Sequence, residues 1–274
     1  MGTTVGSRIL TVRSATVLGA AGILTGLLVQ GESMTHAVHA VLPNANELVT
    51  AEALFVVVGA FVFAKVLRAP MSLSMSLVAL LLGLSISRHL PIDYTYSRIV
   101  VAMWVAAPLV ALVFGFVFLK TINKVRVEDV WRRIRLYKTL LIACSFLAAY
   151  VLGANTVGLI VAMGGFDPST VFTAIPAILL GCVLLSGGEI RRVGQDLFSM
   201  RYANALASLL VSTVLVEFAT LFAIPLSSTQ ALSAGVLGAG SSYKNKLISL
   251  RPFMVIVAVW IIVPIISFLV GYIL

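Results

Sequence analysis

The sequence has few of the residues that build a polar protein surface. Charged residues make up 11% of its 274 positions, hydrophobic residues make up 60%, and the mean hydropathy is +1.10. A soluble domain of this length needs more polar surface than this composition supplies. The composition therefore predicts a multi-pass protein that resides in the lipid bilayer of the cell membrane.

Residues that typically carry catalysis or bind metals are also scarce. The chain has ten carboxylates, three histidines and two cysteines, Cys144 and Cys182, both of which lie within apolar runs. It contains no Cys/His metal array, phosphate-binding loop or nucleophile elbow. The sequence thus predicts no enzyme activity, no bound metal, no organic cofactor and two buried free thiols.

Long apolar runs are what the chain has in abundance. Seven are long enough for ordinary spanning helices, whereas the two that begin after Pro70 and Pro225 are short. The pattern predicts an all-α membrane protein, a polytopic helix bundle with two Pro/Ser-broken, hairpin-type segments. The predicted segments are 15–30, 50–67, 70–87, 97–119, 138–164, 169–187, 202–223, 225–241 and 252–274.

The net charge of +9 is distributed unevenly along these segments. With a cytoplasmic N-terminus and one crossing per segment, all 19 lysines and arginines except Arg88 and Arg98 lie on the inner side. This positive-inside pattern indicates membrane topology and argues against a nucleic-acid partner. We expect the basic stretch from Lys120 to Lys138 to lie along the anionic inner leaflet, although its charge also suits another anionic partner.

Two parts of the chain repeat each other. Pro70-Met-Ser-Leu-Ser-Met-Ser76 corresponds to Pro225-Leu-Ser-Ser-Thr-Gln-Ala231 (225 − 70 = 155), and Trp104-x3-Pro108 corresponds to Trp260-x3-Pro264 (260 − 104 = 156). We assign residues 1–124 to a first repeat and residues 138–274 to a second repeat. The residues between them, to about 137, form a basic cytoplasmic loop in this assignment. Because the predicted crossings run in opposite directions, the repeat has inverted topology, which is typical of secondary transporters.

The repeat is incomplete at one end. Gly31-Glu32 corresponds to Gly188-Glu189 (188 − 31 = 157), so helix 138–164, which carries Gly153-Ala-Asn-Thr156, has a counterpart that would fall just before Met1. We therefore expect the first repeat to lack its opening helix. A truncated, non-transporting membrane subunit stays an alternative to an intact transporter, and a homodimer of the chain is left open.

The polar residues of the two short segments suggest an anion site. Hydroxyl groups follow each proline, at Ser72 and Ser74 in the first segment and at Ser227, Ser228 and Thr229 in the second. Helices that begin inside the membrane would point free N–H groups and their positive dipole ends at an oxyanion. The alternative is that these hydroxyls only satisfy a proline-broken backbone.

Two further polar positions lie within apolar helices. Asn155 and Thr156 are expected either to complete one half of the anion site or to form hydrogen bonds between helices. Glu217 lies in the middle of segment 202–223, where an ionisable group is a candidate for coupling transport to sodium or protons. Its alternative role is structural, as a protonated side chain bonded to a neighbouring helix.

These motifs resemble those of the inorganic phosphate transporter (PiT) family of anion permeases. Members carry G-A-N-D-x-A-N-A and P-[VI]-S-[ST]-[ST]-H-A in each half, and residues 225–231 match the second motif except for Gln230 at the His position and Leu226 in place of Val or Ile. The first segment matches more loosely, with Leu73 inside it and Met75 at the His position. The stretch from Thr4 to Leu10 resembles the family sequence that directly follows the first Asn-Asp motif, which supports the missing helix.

The departures from the family pattern affect the expected substrate. Thr156 stands where the family has an Asp, and Leu159 stands where it has a second Asn. The resemblance implies that this Asp binds substrate and sodium, so sodium coupling through this half is in doubt. Hydrogen phosphate carries a proton that a carboxylate can accept, whereas sulfate offers acceptors only. Because a site with hydroxyls and no carboxylate loses one means of preferring phosphate, sulfate becomes a rival to phosphate, the substrate that the resemblance implies.

Overall fold

The computed structural model describes residues 2–6, 9–43, 47–66, 71–124, 129–192, 202–242 and 250–274, and all regular structure within them is helical. Pro70 lies outside these residues. A 3-10 turn follows α2 at Gly31–Ser33, and a π-helical turn follows α7 at Gly153–Val157. The helices are α1 Gly2–Gly6, α2 Val12–Gln30, α3 Met34–Val41, α4 Glu47–Val66, α5 Leu73–Ser87, α6 Tyr94–Ile122, α7 Val130–Leu152, α8 Gly158–Met163, α9 Pro168–Arg192, α10 Tyr202–Leu221, α11 Ser228–Ser241 and α12 Leu250–Ile273.

Five stretches of the described chain are long and apolar enough to cross a membrane. They are Val12–Val41, Tyr94–Ile122, Trp131–Met163, Tyr202–Leu221 and Ile256–Ile273. Two further apolar helices, Leu73–Ser87 and Pro168–Leu184, are shorter. The all-α membrane architecture is thus confirmed, and α5 and α11 are short, as expected. Whether the two halves have opposite membrane orientations stays a prediction.

The ends of several helices differ from those predicted. The first apolar segment was expected to end near residue 30, but α3 continues the same span to Val41 because Met34, Ala37 and Val38 are buried against the core. The basic stretch expected to be a loop to about residue 137 is partly helical. There α7 already begins at Val130, where the Asp129 carboxylate caps it by accepting hydrogen bonds from two backbone N–H groups.

The two interrupted spans, α2–α3 and α7–α8, pack directly against each other. A Cβ atom on Gly26 would overlap the carbonyl group of Tyr150, and one on Gly153 would overlap that of Ile23. Glycine therefore lets the two backbones approach closely where both spans leave regular α-helix. This contact fixes the π-helical turn, which carries the buried Asn155, against α2.

The short helices pack reciprocally between the halves of the chain. On α5, Gly83 packs on α12, where a Cβ atom would overlap the carbonyl of Phe268. On α11, Gly238 packs in the same way on α6, against the carbonyl of Leu112. The two glycines are counterparts in the repeat (238 − 83 = 155). Each short helix therefore rests on the long helix that belongs to the other half, and this places the beginnings of α5 and α11 together.

Candidate functional site

The tip of the second hairpin is the loop between α10 and α11. Side chains from elsewhere in the chain bind four successive carbonyl groups of this tip, beginning at Ala223, which has a positive φ of 55°. The donors are the Tyr96 hydroxyl to Ala223, the Asn155 amide to Ile224 (3.0 Å), the Trp104 indole to Pro225 (3.2 Å) and the Ser74 hydroxyl to Leu226 (3.3 Å). The non-helical backbone at this tip is therefore hydrogen-bonded by protein groups, as burial away from water requires.

Both the nitrogen and the oxygen of the Asn155 side-chain amide form hydrogen bonds at the tip. Its Nδ2 donates to the Thr220 hydroxyl and to the Ile224 carbonyl, both at 3.0 Å, and its Oδ1 accepts from the Leu226 N–H at 3.1 Å. The side chain is completely buried. The structure thus shows Asn155 in the interhelical role that the sequence left open, at the edge of the candidate site.

The beginning of α11 presents polar groups that the protein does not use. Ser227 caps the helix, because its hydroxyl accepts from the Gln230 N–H at 3.2 Å and lies 3.1 Å from the Thr229 hydroxyl. Helix geometry leaves the N–H groups of Ser228 and Thr229 without an intrahelical partner. The Ser228 Oγ and Gln230 Oε1 atoms are buried and have no hydrogen-bond partner. Such atoms are costly to bury alone, which indicates a binding site for a polar ligand.

The beginning of α5 lies beside this tip but uses its hydroxyls differently. Ser74 donates to Leu226, and its Oγ lies 3.5 Å from that of Ser72. The Ser76 hydroxyl donates to the Ser72 carbonyl at 2.8 Å. The two segments meet, as the repeat predicted, because Ser74 and Leu226 are 152 residues apart in sequence and are hydrogen-bonded.

The remaining predicted residues occupy the edge of this region. Thr229 is exposed, and Thr156 is half-buried on the π-helical turn next to Asn155. Met75, at the position where the family has a His, is buried in the hydrophobic core. No group of three or more potential metal ligands occurs in the part of the chain that the structure describes.

Glu217 lies on α10, two turns before the tip. Its Oε2 atom is buried without a hydrogen-bond partner, and its carboxyl group interacts electrostatically with Tyr150 on α7. The Tyr150 hydroxyl in turn donates to Gln30 Oε1 at 3.1 Å. Among the described hydrogen bonds, none joins Glu217 to Tyr150 or to the hydroxyls of the tip.

Four residues that form hydrogen bonds in this region were not identified from the sequence. Tyr96 and Trp104 bind the tip, and Gln30 and Tyr150 are hydrogen-bonded to each other. The repeat could have identified Trp104, since its counterpart in the second repeat is also a tryptophan, Trp260. Tyr96 and Tyr150 had none, because a hydroxyl at the end of an aromatic side chain hardly alters the hydropathy pattern, and Gln30 marked only the end of an apolar run.

A helical membrane protein in which two interrupted segments meet at a buried polar site belongs to the class of membrane permeases. The donors at the tip are hydroxyl and backbone N–H groups, and the contacts described there include no cationic side chain. Neutral donors at a helix start suit a small anion, because the helix dipole supplies the complementary field.

The chain belongs to the phosphate transporter family, whose sequence profile matches residues 1–143 and 129–271. A candidate phosphate permease of Methanocaldococcus jannaschii is 24% identical over 277 residues, which cover all of this chain and 89% of that protein. The solved structure of a sodium-dependent phosphate transporter matches with a TM-score of 0.81 at 16% identity, covering 99% of this chain and 91% of that one. This structural likeness shows a shared fold, and family membership identifies the chain as a transporter and not an enzyme.

Proposed function

We propose that this chain is a secondary transporter that moves an inorganic oxyanion across the cell membrane, with phosphate as the first candidate substrate. The observation that carries the proposal is the pair of buried, unpaired polar atoms at the start of α11, Ser228 Oγ and Gln230 Oε1. Family membership and the names of the similar proteins support phosphate as the substrate.

The proposed site takes its donors from the start of α11 and is lined by residues of both halves of the chain. The N–H groups of Ser228 and Thr229 and the Ser228 hydroxyl would donate to the anion, while Gln230 Oε1 would accept a hydrogen bond from the hydroxyl group of hydrogen phosphate. Ser72 and Ser74 line the opposite side, with Ser227, Asn155 and Thr156 around them. Because Ser74 and Trp104 bind the same tip, rocking one half against the other would open or close it.

Sulfate is the second candidate substrate, and a specific observation favours it. Thr156 occupies the position at which the family has a carboxylate, and no carboxylate takes part in the hydrogen bonds described at the tip. Sulfate offers only acceptors, so a site composed mainly of neutral donors suits it well. Selection between the two anions would then rest on Gln230, because its Oε1 atom can accept a hydrogen bond from the hydroxyl group that only hydrogen phosphate carries.

Uptake into proteoliposomes that contain the purified chain tests the proposal. Labelled phosphate and sulfate are supplied separately, and Ser228→Ala is compared with wild type. Because this variant removes one buried donor, we expect its apparent affinity for the anion to fall about tenfold or more, which corresponds to ~1.4 kcal/mol or more. The matched control is Ser241→Ala at the far end of the same helix, where the hydroxyl only donates to the Leu237 carbonyl.

The outcomes separate the alternatives. Faster uptake of phosphate than of sulfate supports the first assignment, and the reverse order supports a sulfate permease. Uptake of neither anion above that of empty liposomes overturns transport by the isolated chain and favours the non-transporting subunit. Equal affinity in Ser228→Ala and Ser241→Ala would show that the anion binds elsewhere.

A further inference from the structure

An apolar groove lies on the surface of the helix bundle, apart from the candidate anion site. It has a volume of about 610 Å³ and is lined by residues of α5, α6 and α12. Its apolar walls include Leu82 and Ile86 of α5, Val101 and Val105 of α6, and Phe268 of α12. Cavities of roughly 300–1,000 Å³ hold small organic ligands, so the groove has room for one apolar chain.

The groove extends inwards from one end of the bundle. There α5 ends at Ser87 and α6 begins at Tyr94, which also lines the groove. From Tyr94 to Val105 the lining follows α6 for roughly 16 Å, at ~1.5 Å per residue. The hydrocarbon core of a bilayer is ~30 Å thick, and tyrosine is enriched at its interface with water. The groove therefore matches the depth of one leaflet, from the interface to near the midplane.

Arg98 is the cation of this groove, one turn after the start of α6. Its Nε donates to the Tyr94 carbonyl at 3.1 Å, and its terminal amino groups make none of the described hydrogen bonds. Arg88, at the same end of the bundle, is instead paired with Glu52 at 2.8 Å. The Asp93 carboxylate accepts hydrogen bonds from two backbone N–H groups as the cap of α6. Within the part of the chain that the structure describes, Arg98 thus has no carboxylate partner.

An exposed arginine beside apolar walls favours an anionic partner. A charged side chain within the membrane is costly unless it reaches water or pairs with an opposite charge. The planar guanidinium binds phosphate groups through two parallel hydrogen bonds. Apolar walls add nothing to the binding of a free phosphate ion, but they suit an acyl chain that is joined to a phosphodiester. The combination therefore points to a phospholipid.

The charge of the groove also selects among phospholipid headgroups. None of the described residues that line it is acidic, so the ammonium group of a zwitterionic lipid would have no partner there and would be repelled by Arg98. Lipid tails are about as apolar as the walls, so packing of the acyl chain discriminates little between lipids. The headgroup must then supply the selectivity, and an anionic headgroup fits best.

We propose that this groove is a binding site for one anionic phospholipid. The phosphodiester binds the terminal amino groups of Arg98, and one acyl chain lies along Val101, Val105 and Phe268. The site is separate from the proposed anion site at the start of α11, and the inference does not depend on the proposed function.

Native mass spectrometry of the purified, delipidated chain tests the inference. The chain is titrated with phosphatidylglycerol or with phosphatidylcholine that has identical acyl chains. We expect the first phosphatidylglycerol to bind wild type about tenfold or more tightly than phosphatidylcholine, and this ratio to fall within about twofold in Arg98→Gln. Lys120→Gln is the matched control, because it removes the same charge from an exposed position near the other end of α6 and should leave the ratio unchanged.

A second variant tests the acyl chain and keeps the cation. Ala102 is exposed and lines the groove, so Ala102→Phe should fill part of it without disturbing the core. We expect this change to weaken phosphatidylglycerol binding about tenfold or more. Ala106→Phe is the control, because Ala106 is exposed on the same helix but does not line the groove. Its affinity should stay within about twofold of wild type.

Three outcomes would overturn the proposal. The first is equal affinity of wild type for the two lipids, or a preference that survives in Arg98→Gln. The second is loss of phosphatidylglycerol binding when inorganic phosphate is added at the same concentration, which would show that Arg98 takes a free anion. The third is a dimer that forms as the lipid is released, which would show that a second copy of the chain covers the groove.

Discussion

The starts of α5 and α11 are counterparts in the repeat, yet they use their polar atoms differently. At α5, Ser74 donates to the other tip and Ser76 donates within its own helix. At α11, Ser227 caps the helix, whereas Ser228 Oγ and Gln230 Oε1 stay unpaired. The first segment thus supports the second, and the unpaired polar atoms lie at the second.

The arrangement at α11 has a physical cause in the residues that face the second tip. Four carbonyls of the second tip are bonded by side chains from α5, α6 and the π-helical turn. Because these bonds already hold the backbone of the second tip, the side chains of Ser228 and Gln230 are not needed for structural hydrogen bonds. A duplicated sequence can therefore acquire two roles when the contacts around its copies differ.

The largest effect is expected from the packing that the two halves share. Gly83→Ala and Gly238→Ala each place a methyl group where a carbonyl of the facing helix lies. Each should destabilise the protein by about 3 kcal/mol or more and lower the Tm in detergent by roughly 6 °C or more. Tryptophan fluorescence during heating measures this, with Gly59→Ala as the control because nothing lies within 4 Å of its added Cβ. A large loss in only one of the two variants would show that the reciprocal packing is unequal in energy.

A smaller but more local effect is expected at Asn155. Asn155→Ala removes three hydrogen bonds and leaves the Ile224 carbonyl and the Leu226 N–H buried without partners. We expect anion uptake to fall about 100-fold, since two unsatisfied groups cost ~3 kcal/mol together. Asn155→Asp keeps the acceptor for the Leu226 N–H and loses the donors, so it should retain more uptake than alanine. Uptake within twofold of wild type in both variants would show that the tip does not depend on this residue.

Much of the fold could be predicted from the sequence, because apolar runs and the spacing of repeated motifs are local properties. The two short helices were expected after Pro70 and Pro225, and the meeting of their beginnings followed from the repeat. The continuation of the first span to Val41 could not be predicted, since Glu32 and the 3-10 turn interrupt the apolar pattern. Burial of Met34 against the core outweighs that local signal.

The site could be predicted only in part, for a related reason. Hydroxyls near a proline identify a broken helix, but whether each hydroxyl is free or bonded depends on helices far away in sequence. The donors Tyr96 and Trp104 are 127 and 121 residues from the carbonyls they bind. The sequence therefore suggested equal roles for the two segments, and only the arrangement of these donors distinguishes them.

The smallest effect is expected at Ser76, and it is the most direct test of the comparison. Ser76→Ala removes a hydroxyl that donates to the Ser72 carbonyl, but that carbonyl still accepts from the Ser76 N–H at 3.1 Å. Nothing is left unsatisfied, so the apparent affinity for the anion should change by less than about twofold. Uptake measured at a series of anion concentrations checks this beside Ser228→Ala. Equal losses in the two variants would mean that the anion contacts both segments. If the Ser76 hydroxyl were purely structural, its removal would not change the affinity, because the Ser76 N–H still binds the same carbonyl.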